Sequence, residues 1–338
     1  MSNKLLQKIF SVKNSNNRTH KIITIAGIKI KFKKYIKKLW NDPMDIVIDT
    51  TLLCNNNCSF CWRSNYPEYL KAKNQEIKQK TMPFKIYKKI IDDVCQYDSV
   101  KRLSLCGPMG EPLMNDRIED FYEYAFKKHH FNILCINTNG LAINKRNYGK
   151  LLNSMHEFSI SVDSIIPESY EKIHGHKHLD VVIENIRKCV EFKKKYGAVA
   201  KIVVRFTENK HNIGQIDEFI KFFKELGVDE INYTKEHSFA GVNSSLNSLE
   251  TNKMCNQPYK IINFNLFGEL TTCCVNWHLS PVFGNIKNHS LKQLWESKEK
   301  LDWNKNCLKD ENLCKNCSGL GMSQHSQFIN LKEDITHE

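Results

Sequence analysis

Cys54, Cys58 and Cys61 lie in the stretch TTLLCNNNCSFCWRSN, residues 50–65, at the spacing C-x3-C-x2-C. Closed zinc and iron–sulfur sites take four protein ligands, whereas a catalytic metal keeps one position open. Three thiolates hold three corners of a cubane [4Fe–4S] cluster and leave the fourth iron to an exogenous ligand. A zinc ion completed by a distant residue, or three unrelated cysteines, are the other readings of the same spacing.

The chain has 13 cysteines in 338 residues. The number is odd, and the basic first stretch carries only a short, broken apolar run, unlike a secretory signal. Metal or redox chemistry is therefore a better reading of the clustered cysteines than a disulfide framework. Cys95, Cys106, Cys135 and Cys189 sit in apolar patterns and read as small buried hydrophobes. The runs HGHKH (174–178) and KHH (128–130) read as solvated faces rather than metal clusters.

Apolar residues make up 41% of the chain and aromatics 10%, as in a globular protein. No apolar run is long enough to span a bilayer, and a cytoplasmic location is the expectation. The net charge of +13 is compatible with an anionic partner, but lysines along the whole chain point to a compositional bias. No nucleic acid is expected as a partner, and membrane contact is peripheral at most.

The elements that must position these cysteines follow from hydrophobic periodicity. HKIITIAGIKIKFKK suggests a short strand pair around Gly27. From Pro43, strands are expected at 45–50, 101–106, 131–137, 158–162, 201–206 and 230–234. Helices at 83–97, 118–130, 145–155, 179–197 and 216–227 alternate with them. Continuous Val/Ile/Leu runs suit buried parallel strands joined by right-handed crossovers. Active sites of such folds lie at the C-terminal strand ends, where the cysteine loop sits. Beyond a Ser/Asn-rich linker, 259–276 reads as a hairpin turning near Gly268, and 290–301 as a helix with a Ser290–Gln293 capping box.

The cysteine spacing, with an aromatic Phe60 before the third cysteine, resembles the radical S-adenosylmethionine (SAM) superfamily. The resemblance extends over about residues 43–235. GPMGEPLMN (107–115) follows the second strand and matches the family's Gly-Glu-Pro signature through Gly107, Gly110 and Glu111. NTNGL (137–141) matches its T-N-G through Thr138 and Asn139, and SISVDS (159–164) its S-x-D through Ser161 and Asp163. Relatives often carry an arginine after strand four where this chain has His174; Arg205 in strand five is either a substitute for contacting the methionine carboxylate or an arginine packed on a helix.

The C-terminal part resembles the family's SPASM or shorter twitch extensions. Cys255, Gly268 and Cys273 fit the opening pattern, and Cys314 and Cys317 supply C-x2-C. Two further Cys-ligated clusters need about eight thiolates. Only six cysteines lie beyond residue 250, so one auxiliary [4Fe–4S] cluster on Cys255, Cys273, Cys314 and Cys317 is implied. Cys274 should face away from Cys273, and Cys307 is the substitute ligand.

The resemblance implies a partial (β/α)6 TIM-like barrel at 43–236, a basic extension at 1–42, a linker at 237–254, the auxiliary domain at 255–325 and a tail at 326–338. It implies reductive cleavage of SAM at the open cluster by an external donor such as flavodoxin or ferredoxin, and hydrogen abstraction from a substrate. The N-terminal stretch resembles leaders of enzymes encoded with surface-polysaccharide genes, which favours a sugar or glycan substrate. A peptide or protein substrate, as for SPASM-type maturases, is the alternative. A non-enzymatic zinc protein binding nucleic acid is the competing class.

Overall fold

The computed structural model describes residues 10–14, 20–25, 28–33, 42–236, 238, 257–307, 313–315, 317 and 327–332. The chain divides into two compact units, residues 1–43 and 44–338. In the first, strands β1 (Phe10–Asn14), β2 (His20–Ile25) and β3 (Ile28–Lys33) form an antiparallel sheet in the order β1-β2-β3. The expected pair around Gly27 is β2 and β3, and β1 is an addition to it.

The second unit is built on a nine-stranded sheet. Six strands run parallel in chain order: β4 (Asp45–Ile48), β5 (Arg102–Ser104), β6 (Ile133–Thr138), β7 (Glu157–Ser161), β8 (Lys201–Glu208) and β9 (Glu230–Lys235). Every crossover carries a helix. The helix over Phe84–Val94 buries Ile86, Tyr87, Ile90, Ile91 and Val94, an apolar stripe at helical spacing packed on the sheet. Four α-helices went unforeseen: Trp62–Asn65, Pro67–Glu76, Pro167–His174 and Gln257–Lys260.

Both sheet edges are completed by later chain. β10 (Ile261–Phe264) pairs in parallel with β4, matching Ile261 to Asp45 and Phe264 to Ile48. β11 (Leu270–Thr271) closes the expected hairpin on β10, and β12 (Gln327–Asn330) pairs antiparallel with β9. Paired edges leave no open ladder beside β4 or β9. The expected helix at 290–301 divides: Ser290 caps Leu291–Trp295 with the foreseen capping box, and Ser297 caps a second helix, Lys298–Asn306.

The parallel strands are not apolar on both faces. Ile46, Ile48, Leu103, Leu134, Ile136, Phe158 and Ile160 are fully buried in the core. The alternate positions Asp45, Val47, Arg102, Ser104, Asn137 and Ser161 line a cavity instead. The helices cover one face, and the other is left to a polar interior.

Candidate active site

The cavity has a volume of about 620 Å³. This falls in the range of small-molecule sites, about 300–1,000 Å³. Cys54, Cys58, Phe60 and Cys61 lie on its wall. Their loop is fastened to the segment after β5: Trp62 Nε1 donates to the Pro108 carbonyl at 2.6 Å, and Arg63 Nη1 donates to the carbonyls of Leu52 and Met109, both at 2.9 Å.

The glycines of that segment are needed for close approach. A Cβ on Gly110 would sit 2.5 Å from the Thr51 carbonyl oxygen, and one on Gly107 1.7 Å from Asp49 Oδ1. No side chain fits either space. Asp49 accepts from the Met109 amide at 3.1 Å, while burial pushes its carboxyl up to about 7.

Glu111 braces the site. Its Oε1 accepts from the Leu113 amide at 3.1 Å and from Thr138 Oγ1, and its Oε2 from the Asn139 amide at 2.8 Å. Burial raises its carboxyl above the usual range, opposed by these three donors. The Gly-Glu-Pro and T-N-G segments are thus joined through one buried carboxylate. Asn139 Nδ2 continues the link to Asn55 Oδ1 in the cysteine loop at 2.7 Å.

Gly107, Gly110, Glu111, Thr138, Asn139 and Ser161 are all on the cavity wall. Asp163 and Arg205 are not among the lining residues. Asp163 is 1% exposed; its Oδ1 accepts from the Thr207 amide at 2.6 Å and its carbonyl from Asn212 Nδ2. The Arg205 carbonyl accepts from the amides of Val162 and Asp163. Both residues shape the end of β7 from behind the wall.

His174 corrects the expectation of a solvated histidine face. It is 1% exposed, on the last turn of the Pro167–His174 helix. Its Nε2 donates to the Val162 carbonyl at 3.0 Å and lies 3.2 Å from Asp163 Oδ2, at ion-pair distance but without hydrogen-bond alignment. Its Nδ1 lies 3.6 Å from Cys58 Sγ. Burial lowers the affinity of the imidazole for its proton, but the Cys58 sulfur and the Asp163 carboxylate beside the ring outweigh this and raise it to about 10. The same helix end receives the cysteine loop, as the Ser59 amide donates to the Ile173 carbonyl at 2.8 Å. Sequence spacing gave one signal for this residue: a histidine where relatives carry arginine.

Cys106 also departs from expectation. It lines the cavity rather than the core, and its sulfur accepts from Asn137 Nδ2 at 3.1 Å and Ser104 Oγ at 3.3 Å. Cys135 and Cys189 are buried in the apolar interior.

In the C-terminal region, Cys273, Cys274, Cys314 and Cys317 pack around Val275 and Leu313; the strand β11 ends at Thr271, so strand alternation does not separate Cys274 from Cys273. Cys255 lies outside the described residues. Cys307 is 4% exposed and hydrogen-bonds Cys314, whose thiol is raised by that bond, by burial and by Cys273 and Cys317 nearby. Cys274 lies on the wall of the main cavity. An aromatic stack joins the two cysteine regions: Trp277 stacks on Trp62 with centroids 5.4 Å apart and on Tyr66 at 4.8 Å. Among the described residues no three His, Cys, Asp or Glu side chains are gathered closely enough to hold a single metal ion. The cavity-facing thiols and the backbone cradle of Gly107 and Gly110 suit a larger group, an iron–sulfur cluster with SAM beside it.

Comparison with known proteins agrees. The Radical SAM superfamily model matches residues 48–220, more than half of the chain, and the SPASM model, an iron–sulfur cluster-binding domain, matches 255–318. The probable GTP 3′,8-cyclase of Saccharolobus islandicus is 23% identical over 195 residues, 57% of each chain. The GTP 3′,8-cyclase of Clostridium perfringens is 23% identical over 163 residues, 48% of each. The matched region thus spans about half the length of these curated relatives. Among solved structures, Streptococcus suis SuiB bound to its precursor peptide SuiA aligns with a TM-score of 0.60 at 16% identity, over 83% of this chain and 71% of that one. The anSMEcpe structure with bound AdoMet aligns with a TM-score of 0.55 at 16% identity, over 81% and 89%. These two show a shared fold. The family match also removes the zinc-dependent nucleic-acid-binding reading. With the open three-cysteine loop, the braced glycine segment and the matched C-terminal region together, the chain belongs to the radical SAM superfamily and carries a SPASM iron–sulfur domain.

Proposed function

We propose that the chain is a radical SAM oxidoreductase acting on a hydroxyl-rich, sugar-type substrate. The observation that carries this reading is the convergence on one cavity of three loop thiols, the Glu111-braced backbone and a polar lower wall. Such a cluster, reduced by an external donor, would supply the one-electron chemistry that splits SAM into methionine and a hydrogen-abstracting 5′-deoxyadenosyl radical.

The chain's own residues do the positioning. Cys54, Cys58 and Cys61 would hold the cluster, and Phe60 would cover its cavity side. The side-chain-free Gly107 and Gly110 admit SAM against the backbone, with Thr138, Asn139 and Ser161 as polar neighbours. Glu111 fixes the two segments relative to each other; its carboxylate already accepts three internal donors, so a backbone carbonyl is the better partner for the methionyl ammonium. Asp45, Arg102, Ser104, Asn137 and Lys260 line the remaining wall, and alternating donors and acceptors suit hydroxyl groups. Cys255, Cys273, Cys314 and Cys317, with Cys307 as substitute, would hold the auxiliary cluster. A flavodoxin or ferredoxin is the proposed electron donor.

A peptide substrate is the second reading, favoured by the fold shared with SuiB, which was solved with a precursor peptide. The experiment is a screen of 5′-deoxyadenosine formation by anaerobically reconstituted protein against sugars, nucleotide sugars and peptides. Formation stimulated by sugars and not by peptides supports the first reading. Stimulation by peptides alone replaces it with the second.

A further inference from the structure

Lysines occur along the whole chain, but their excess over acidic residues does not. Residues 1–43 hold ten lysines and Arg18 against Asp42 alone, a net +10; residues 44–338 carry the remaining +3. The positive balance of the protein is a property of its first compact unit.

The strand register sorts these charges. In antiparallel pairing, residues directly opposite share a face. Ile25 pairs with Phe10 and Ile28, and Ile23 with Val12 and Ile30. These six apolar residues fall on one face, joined by Phe32, with Lys21 and Asn14 at its end. Lys29, Lys31 and Lys33 fall on the other face with Lys13 and His20, interrupted by Ile22. The small sheet therefore separates an apolar face from a cationic one.

We propose that the cationic face of the β1-β2-β3 sheet docks on an anionic phospholipid surface. Charge complementarity and residue type favour this ligand. Readout of nucleic acid draws on the planar, bidentate guanidinium of arginine, whereas the diffuse field of a charged bilayer is met by point charges such as lysine. Ten of the eleven cations in this unit are lysines. Tyr35 and Trp40, interleaved with Lys34, Lys37 and Lys38, are residue types enriched at membrane–water interfaces. No helix among the described residues is long and apolar enough to cross a membrane, so the attachment is to a surface. The inference stands apart from the proposed chemistry at the cavity.

Vesicle flotation of the full-length protein tests it. Phosphatidylcholine vesicles with phosphatidylglycerol should carry the protein at low salt and release it at about 1 M salt, where charges are screened within about 3 Å. Vesicles of phosphatidylcholine alone should not carry it. Replacing Lys13, Lys29, Lys31 and Lys33 by Gln should weaken partitioning roughly 1,000-fold, at about five- to sixfold per lysine. A second variant removes the same charge elsewhere, at the exposed Lys127, Lys201, Lys235 and Lys305. It should bind nearly as well as the parent. Equal loss in both variants, equal flotation on neutral vesicles, or binding of an RNA or acidic peptide without binding of vesicles overturns the proposal.

Discussion

Around Cys54, Cys58 and Cys61 the backbone wraps a cavity, whereas Cys273, Cys274, Cys314 and Cys317 gather around Val275 and Leu313, with Cys307 hydrogen-bonded to Cys314. The first group has three thiols, polar neighbours and an open side. The second has more thiols than one cluster needs, Cys307 among them hydrogen-bonded to Cys314. We propose that the first group exchanges a ligand and that the second is closed. Trp62 and Trp277 connect the two regions through stacked rings.

The largest expected effect separates the regions by composition. Two cubanes give about eight irons per chain. Replacing Cys54, Cys58 and Cys61 by Ala should leave about four and abolish SAM cleavage. Replacing Cys314 and Cys317 should also leave about four but preserve substrate-independent 5′-deoxyadenosine formation. Iron analysis beside product chromatography reads both. Cleavage surviving the first variant contradicts the assignment.

The joint between the regions comes next. Trp277 is 4% exposed, and truncating a buried aromatic costs about 3–5 kcal/mol. Trp277→Ala should lower thermal stability accordingly and loosen both cysteine groups, seen as faster loss of iron from each to a chelator. Loss from one group alone would show that the stack does not couple them.

Asp49 gives a pH test of the packing beneath the open region. Its folded-state value, about 7, lies above its ordinary 3.8, so the native state prefers the protonated form. The associated stability is fully present below about pH 4 and is lost as pH rises through 7. At about 1.4 kcal/mol per pH unit, the loss is on the order of 4 kcal/mol. Asp49→Asn cannot ionise, so its stability relative to the parent, from urea midpoints, should rise between pH 4 and 8. Parallel curves would show that Asp49 titrates normally.

A smaller effect is expected at His174. Outer-shell partners of metal ligands are worth about 10–100-fold in affinity. His174→Leu should speed iron loss from the cysteine loop by that factor and leave the C-terminal group unchanged. Hydrogen bonds to cluster sulfurs favour the reduced state, so the midpoint potential of the loop cluster should fall. An unchanged potential would show that His174 serves packing only.

Much of this arrangement was legible in the sequence because it is local. The cysteine spacing, the glycine segment after β5 and the apolar runs of β4–β9 each declare themselves within a few positions. What was hidden depends on pairings over long separations. His174 meets Cys58 across 116 positions. The hairpin strand β10 finds β4 only in the folded sheet. The cavity-facing strand positions looked apolar because each run was dominated by its helix-covered alternates, Ile46, Leu103 and Ile136. Cys106 was masked in the same way, and the polar Pro67–Glu76 helix gave no amphipathic stripe to read.

The most direct test of the open-versus-closed account is electron paramagnetic resonance of the reduced, fully loaded protein with and without SAM. The account predicts that SAM shifts the signal of one cluster and leaves the other unchanged, and that the variant lacking Cys54, Cys58 and Cys61 keeps only the unresponsive signal. A SAM-sensitive signal remaining in that variant would place the open site in the C-terminal region and contradict the account.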